Sequence, residues 1–184
     1  MPLLLSGGAI GADSLWDSWA RAKKHDVIHW SFQTHKSRLG DVYVLTDKEL
    51  KEADAYVTRA NKTLNRTYPT NSEHVNNLLR RNYFQIAQTE RVYAVSNFDS
   101  KPFGINVEGG TAWALTMYLD RFIHNESPWS DCEMYLWEQK LSKWFSWETN
   151  GWSQIERPPT PHGTYTGIGS RKLTTSAVTA INIL

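Results

Sequence analysis

The stretch Leu3-Leu4-Leu5-Ser6-Gly7-Gly8-Ala9-Ile10-Gly11-Ala12-Asp13 decides the fold. A short apolar run closed by glycines suits a buried strand. From Asp13 to Lys24, residues Leu15, Trp16, Trp19 and Ala22 share one helical face. Arg21, Lys23 and Lys24 sit near the end of that segment, where cations complement the helix dipole. Asp26 to Phe32 reads as the next strand. The opening is therefore strand, glycine turn, helix, strand: a βαβ unit of the expected size.

Outward from this unit, Thr34 to Val44 is polar and reads as loop. Thr46 and Glu49 form a capping box, and Leu50, Ala53, Tyr56, Val57 and Ala60 carry one helix to about Leu64. Pro69 breaks the pattern; Ser72 caps a helix with Val75, Leu78, Leu79, Tyr83 and Ile86 as apolar positions. Arg91 to Ser96 and Ile105 to Glu108 are strand-like, separated by a turn from Asn97 to Pro102. Thr111 to Asn125 is helical. Cys132 to Gln139 and Lys143 to Glu148 alternate aromatics, which suggests an antiparallel edge ribbon. Gly151 to Pro161 reads as linker, Thr164 to Ile168 as a strand, and Thr174 to Leu184 as a helix. The rhythm is that of an α/β protein with an open, Rossmann-like parallel sheet flanked by helices.

A chain of 184 residues is expected to hold one domain. Its net charge of +1 offers no general field for a phosphate backbone, so nucleic-acid binding is not favoured. Cys132 is the single cysteine, which excludes an intramolecular disulfide framework and fits a reducing cytoplasm. No apolar run approaches the roughly 18 residues that span a bilayer, and Met1 to Gly8 lacks the pattern of a signal peptide. A cytoplasmic protein without membrane contact is expected. The six histidines are not read as a metal site, and no cofactor is expected. Ser6 and Ser170 have no recognisable histidine–acid partner for nucleophilic catalysis. Nine tryptophans is a high number, and Trp129, Trp137, Trp144, Trp147 and Trp152 crowd one stretch. Such residues serve as core packing or as a stacking wall for a base or partner.

The same local grammar recurs in three places. The turns are Ser6-Gly7-Gly8-Ala9-Ile10-Gly11-Ala12-Asp13, Glu108-Gly109-Gly110-Thr111-Ala112 and Thr166-Gly167-Ile168-Gly169-Ser170-Arg171. Each has a short apolar strand before it and a helix after it. Glycine allows close approach of a ligand, and a helix N-terminus supplies free N–H groups and partial positive charge. Such turns cradle anions, typically phosphate. In an open α/β sheet they converge at the carboxyl ends of the strands. Arg81 and Arg171 are candidate phosphate partners through their planar guanidinium forks. Neither the G-x-G-x-x-G fingerprint nor the G-x-x-x-x-G-K-[ST] loop is present.

Ser6-Gly7-Gly8-Ala9-x-Gly11-Ala12-Asp13 resembles the signature of the SLOG superfamily, which includes the Rossmann-like domain of DNA-processing protein A and the lonely-guy phosphoribohydrolases. Thr166-Gly167-Ile168-Gly169-Ser170-Arg171 resembles that superfamily's first strand and turn. Arg81-Asn82 is similar to the arginine–asparagine pair of the DNA-processing branch, and Glu108-Gly109-Gly110-Thr111 to the late glycine turn. The order differs, since the first family element stands here at the C-terminus. The resemblance therefore implies circular permutation, with the join between Leu184 and Met1 and residues 163–184 completing the sheet beside residues 1–32. Pro158 to Pro161 would bridge the old ends. A chain that ends inside a second copy of the domain would also give this order.

The lonely-guy turn carries a glutamate that acts on the ribose. Here Gly109-Gly110 is followed by Thr111-Ala112-Trp113-Ala114-Leu115, with no glutamate on that helical turn. N-glycoside cleavage needs a carboxylate near the anomeric carbon, and Asp13 and Glu108 are the candidates left. Asp13 serves equally as a helix cap, and Glu108 as a rim charge. The favoured expectation is a binder of a nucleotide-derived small molecule, ADP-ribose-like or a cyclic nucleotide, that senses or sequesters a signal, for example in phage–host conflict. The alternatives are an N-glycosidase or phosphoribohydrolase-type enzyme and a single-strand DNA-binding protein. The resemblance and the tryptophan-rich stretch favour a homo-oligomer.

Overall fold

The computed structural model describes residues 1–35, 39, 42–100, 104–124, 126–149 and 151–184. Strand β1 (Leu3–Ser6) leads into helix α1 (Ala12–Ala22) and strand β2 (Asp26–Phe32). Strand β3 (Val42–Leu45) and helices α2 (Asp47–Glu52), α3 (Asp54–Leu64) and α4 (Glu73–Ile86) follow. Then come β4 (Arg91–Ser96), α5 (Gly109–Ile123), β5 (Glu133–Glu138), β6 (Lys143–Glu148), β7 (Gly151–Ile155), β8 (Thr164–Gly169) and α6 (Thr175–Asn182). A short 3-10 turn, Trp129–Asp131, precedes β5.

The strands form one eight-stranded sheet in the order β3-β2-β1-β8-β4-β5-β6-β7. From β3 to β5 all neighbours are parallel; β6 and β7 close the edge antiparallel. The C-terminal strand β8 lies in the middle, paired with β1 through Leu4↔Tyr165 and with β4 through Ala94↔Ile168. A parallel sheet must be covered on both faces, and β4 shows why: all six of its residues are buried. Its side chains alternate between two cores. Tyr93 and Val95 join Trp16, Trp19, Ala177 and Ile181 beneath α1 and α6. Val92 and Ala94 join Val57, Leu79, Leu115 and Phe122 beneath α3, α4 and α5. A smaller cluster of Phe32, Leu45 and Leu50 sits near β3.

Several expectations need correction. Within the stretch read as loop, Val42–Leu45 is strand β3, paired parallel to β2; residues 36–38, 40 and 41 lie outside the described residues. The helix expected from Thr46 to Leu64 is two helices, with the capping box of Thr46 and Glu49 in place. The break at Ala53 lets Leu50 pack on Phe32 and Leu45 while Val57, Ala60 and Leu64 enter the larger core. Ile105 to Glu108 is no strand of the sheet. Asn106 has a positive φ of 56°, and Val107 makes only an isolated bridge to Phe98. Its apolar residues, Ile105 and Val107, are buried as a loop packed into the core. Residues 101–103 of the neighbouring turn and Asn125 at the end of the expected helix lie outside the described residues. Gly151 to Ile155, read as linker, is strand β7, registered so that Trp152 faces Trp147. Cys132 to Gln139 and Lys143 to Glu148, expected as an antiparallel edge ribbon, do pair antiparallel as β5 and β6, but β5 also pairs parallel with β4 and the edge itself is β7.

Most of the tryptophans pack inside. Trp137 and Trp144 meet edge to face at 5.4 Å in the core under α6, and Trp147 and Trp152 at 5.2 Å against the core under α5. Trp129 remains exposed against Phe122. No helix among the described residues is long and apolar enough to cross a membrane.

Candidate functional site

A cleft of about 820 Å³ opens at the carboxyl ends of β1, β8 and β4, between the glycine turns and helix α4. Ala9, Asp13, Arg81, Asn82, Glu108, Gly109, Gly110, Thr111, Gly169, Ser170 and Arg171 line it. Ser6, Gly7, Gly8, Gly11 and Gly167 do not. All three turns thus contribute, but their glycines do different work.

In the turn after β1, the glycines admit neighbouring protein groups. A Cβ on Gly7 would collide with the guanidinium of Arg81. Gly11 has a φ of 95°, and a Cβ there would lie 2.5 Å from the Arg171 backbone. The Ala12 N–H donates to the Ser170 carbonyl at 3.0 Å, and the Ser170 N–H to the Val95 carbonyl at 2.8 Å. The first and third turns are therefore locked together. Gly167 makes room for the Trp16 ring, and Gly169 for the Val95 carbonyl. Ser6 is fully buried, and its hydroxyl has no partner.

Asp13 closes its own turn. Its carboxylate accepts the Ala9 N–H at 3.2 Å and pairs with Arg81 at 3.6 Å, both side chains being less than a tenth exposed. Burial pushes the Asp13 carboxyl up, while Arg81 and the Ala9 N–H pull it back. Burial likewise pushes Arg81 down, against the pull of Asp13. Arg81 Nε has no hydrogen-bond partner, and Nη1 has only the longer ion pair to Asp13. An unpaired buried donor of this kind is costly and favours an anionic acceptor.

The second turn is the open one. Gly109, with a φ of 67°, has nothing within 4 Å of a would-be Cβ, and Gly110 has only the Asn82 amide at 4.0 Å. They begin α5, and no side chain caps its first turn. The first N–H groups of a helix lack intrahelical acceptors, so an uncapped N-terminus facing a cleft can receive an anion. Arg66, which also lines the cleft, braces this turn, donating to the carbonyls of Gly109 at 2.6 Å and Val107 at 3.1 Å. Asn82 donates to the Gly110 carbonyl at 3.3 Å. Glu108 is the N-cap residue of α5 and not a strand end; Asn97 donates to its Oε2 at 3.0 Å and Lys140 to its Oε1 at 3.2 Å.

Other residues of the cleft escaped sequence reasoning. His35 follows β2 and hydrogen-bonds Ser31 at 3.0 Å. Burial first, then the charges of Arg81, His74 and Arg171, push its imidazole down to about 4. Val75, Leu78, Leu79 and Trp113 form an apolar wall. Lys172 adds a cation, and Gln85 lies fully buried at the cleft. The apolar spacing of α4 marked Val75, Leu78 and Leu79 as buried positions, without telling core from cleft. Among the described residues no cluster of three or more His, Cys, Asp or Glu is placed to hold a metal. His25 and His29, four apart, are engaged separately: His25 with the Tyr165 hydroxyl at 2.9 Å, His29 with Asp17 at 2.9 Å.

Compared with known proteins, the chain matches no family model, no curated protein and no solved structure.

Proposed function

We propose that the protein binds a small nucleotide-derived ligand, its phosphate at the N-terminus of α5 and its base against the apolar wall. The observation that carries this reading is the uncapped start of α5 at Gly109 and Gly110, open to a cleft of about 820 Å³ that Arg81 and Arg171 also line. That volume is within the range of small-molecule sites. Charge-assisted hydrogen bonds contribute about 1.5–3 kcal/mol each. Association costs roughly 4 kcal/mol or more, so phosphate contacts alone give weak binding. The wall of Val75, Leu78, Leu79 and Trp113 supplies the further apolar burial that a tight ligand needs.

Sheet order supports the resemblance to permuted SLOG domains. Counted from β8, the run β3-β2-β1-β8-β4-β5 becomes 4-3-2-1-5-6; with the short edge strand β3 left out of the count, its inner five strands read 3-2-1-4-5, the order of dinucleotide-binding sheets. The cleft lies where that order reverses, beside Gly169 and Ser96.

Titration calorimetry with ADP-ribose, cyclic nucleotides and nucleoside monophosphates tests the reading. We expect a Kd in the micromolar range or tighter for at least one, weakened tenfold or more by Arg171→Ala. Absence of heat with every ligand would remove the proposal.

Cleavage at an N-glycosidic bond is the second reading, since Asp13 and Glu108 line the same cleft. Binding without turnover is preferred because both carboxylates are engaged. Asp13 is held by Ala9 and Arg81, and Glu108 by Asn97 and Lys140. A base released from a nucleotide, seen by chromatography and lost in Asp13→Asn or Glu108→Gln, would reverse that preference.

A further inference from the structure

We infer that Gln85 reads the base of the bound nucleotide. This inference rests on the proposed binding site and names what discriminates within it. Gln85 lies one helical turn beyond Arg81 on α4, lines the cleft and is fully buried. Neither its amide nitrogen nor its amide oxygen has a hydrogen-bond partner. Asn82, which lines the same cleft, commits its amide nitrogen to the Gly110 carbonyl.

A buried primary amide left unpaired is expensive, more so than an apolar side chain of the same shape. In a cleft that already offers N–H groups and guanidinium to a phosphate, this second polar device has a different character. It is neutral, and it carries a donor beside an acceptor. A phosphate oxygen satisfies only the donor half. A nucleobase edge carrying an acceptor beside a donor satisfies both, as amide side chains do when they read adenine. Leu79, Ile168 and Trp113, which line the same cleft, are apolar, which suits the face of a base and not a second anion. The ligand class is therefore a 5′-nucleotide whose base presents an adjacent donor and acceptor.

The test compares ribose 5-phosphate with the four nucleoside 5′-monophosphates, by calorimetry, on the wild type and Gln85→Leu. Ribose 5-phosphate has the phosphate and sugar but no base. We expect at least one nucleotide to bind ten- to a hundredfold tighter than ribose 5-phosphate, the range of a bidentate base contact. Gln85→Leu should remove that advantage and leave ribose 5-phosphate binding unchanged. That unchanged binding also shows the variant to be folded, and its melting temperature should not fall, since an unpaired amide has been removed. If every nucleotide and ribose 5-phosphate bind the wild type equally, or if the variant keeps the preference, the base-reading role is overturned while the phosphate site stands. If nothing binds, the site reading fails and this inference fails with it.

Discussion

Gly11 and Gly110 look alike in the sequence, but in the fold they have opposite duties. At Gly11 the backbone has a φ of 95° and a Cβ would strike the Arg171 backbone, which cannot move aside without separating the two locked turns. Gly11→Ala should cost about 2–5 kcal/mol, from left-handed strain plus overpacking. At Gly110 a methyl group meets only the Asn82 amide at 4.0 Å. Gly110→Ala should leave the protein as stable or stabilise it by up to about 1 kcal/mol, because alanine is the better helix residue. The same methyl projects toward the proposed phosphate position and should weaken nucleotide binding at least tenfold. Thermal melts and calorimetry on both variants would separate these outcomes. His35 gives a second residue-scale prediction. Its folded value of about 4 lies below the ordinary 6.5. Between those values the unfolded chain takes up a proton that the folded chain refuses, so stability falls as the pH drops from 6.5 toward 4. Partial exposure and salt limit the loss to on the order of 1 kcal/mol. An anion placed between Arg81 and Arg171 offsets two of the charges that hold His35 down, so His74 and burial alone would then oppose protonation. Nucleotide affinity should therefore rise from pH 7 to pH 5, and His35→Gln should flatten both pH dependences relative to the wild type.

Whole elements were legible where one pattern had no competitor. The unit β1-α1-β2 carries an apolar run, a glycine turn and a single amphipathic face, and it forms as expected, with β2 spanning Asp26–Phe32. Thr46 and Glu49 announced their helix start for a local reason, a reciprocal capping box that needs no tertiary partner. Elements fixed by distant partners were not legible. Val42–Leu45 becomes a strand because β2 offers it an edge, and Gly151–Ile155 because β6 does. Ile105 and Val107 carry the apolar signal of a strand, but they are buried in a loop that feeds α5. Helix α4 carries a misleading local pattern. Its buried residues include Asn76, Arg80, Arg81, Asn82 and Gln85. A polar run on a helix ordinarily means a solvated face. Here Arg80 is buried against Asp54 and Glu73, Arg81 against Asp13, and Asn82 against Gly110. The turns that frame the cleft were thus readable in advance. Of the polar floor between them, Arg81 and Asn82 were marked through the resemblance, while Gln85 was not, because periodicity reports apolar burial only.

At the scale of the molecule, the position of β8 makes a demanding prediction about connectivity. This strand supplies hydrogen bonds to β1 on one side and β4 on the other, although the sequence places it last. The segments that flank the proposed join are close in space. The Leu184 carbonyl accepts from Thr160 at 3.0 Å, and the Leu3 N–H donates to the Gly163 carbonyl at 2.9 Å. Thr160 and Gly163 are separated by about 10 Å of chain at most. A flexible linker of about six residues, reaching roughly 20 Å, can therefore run from Leu184 to Met1. The chain can be reopened between Glu156 and Arg157, both exposed and beyond the last pairing of β7. The rearranged protein would start with β8, then α6, β1, α1 and β2, the order in which the resembled family builds its sheet. Because loop closure over a few residues changes stability little, it should fold cooperatively, melt within about 5 °C of the parent and keep its nucleotide affinity. A chain cut at the same point and lacking residues 157–184 should not fold, having lost its central strand. Aggregation of the rearranged protein, with the parent soluble under the same conditions, would mean that the present order of elements is needed for folding and would count against a permuted origin.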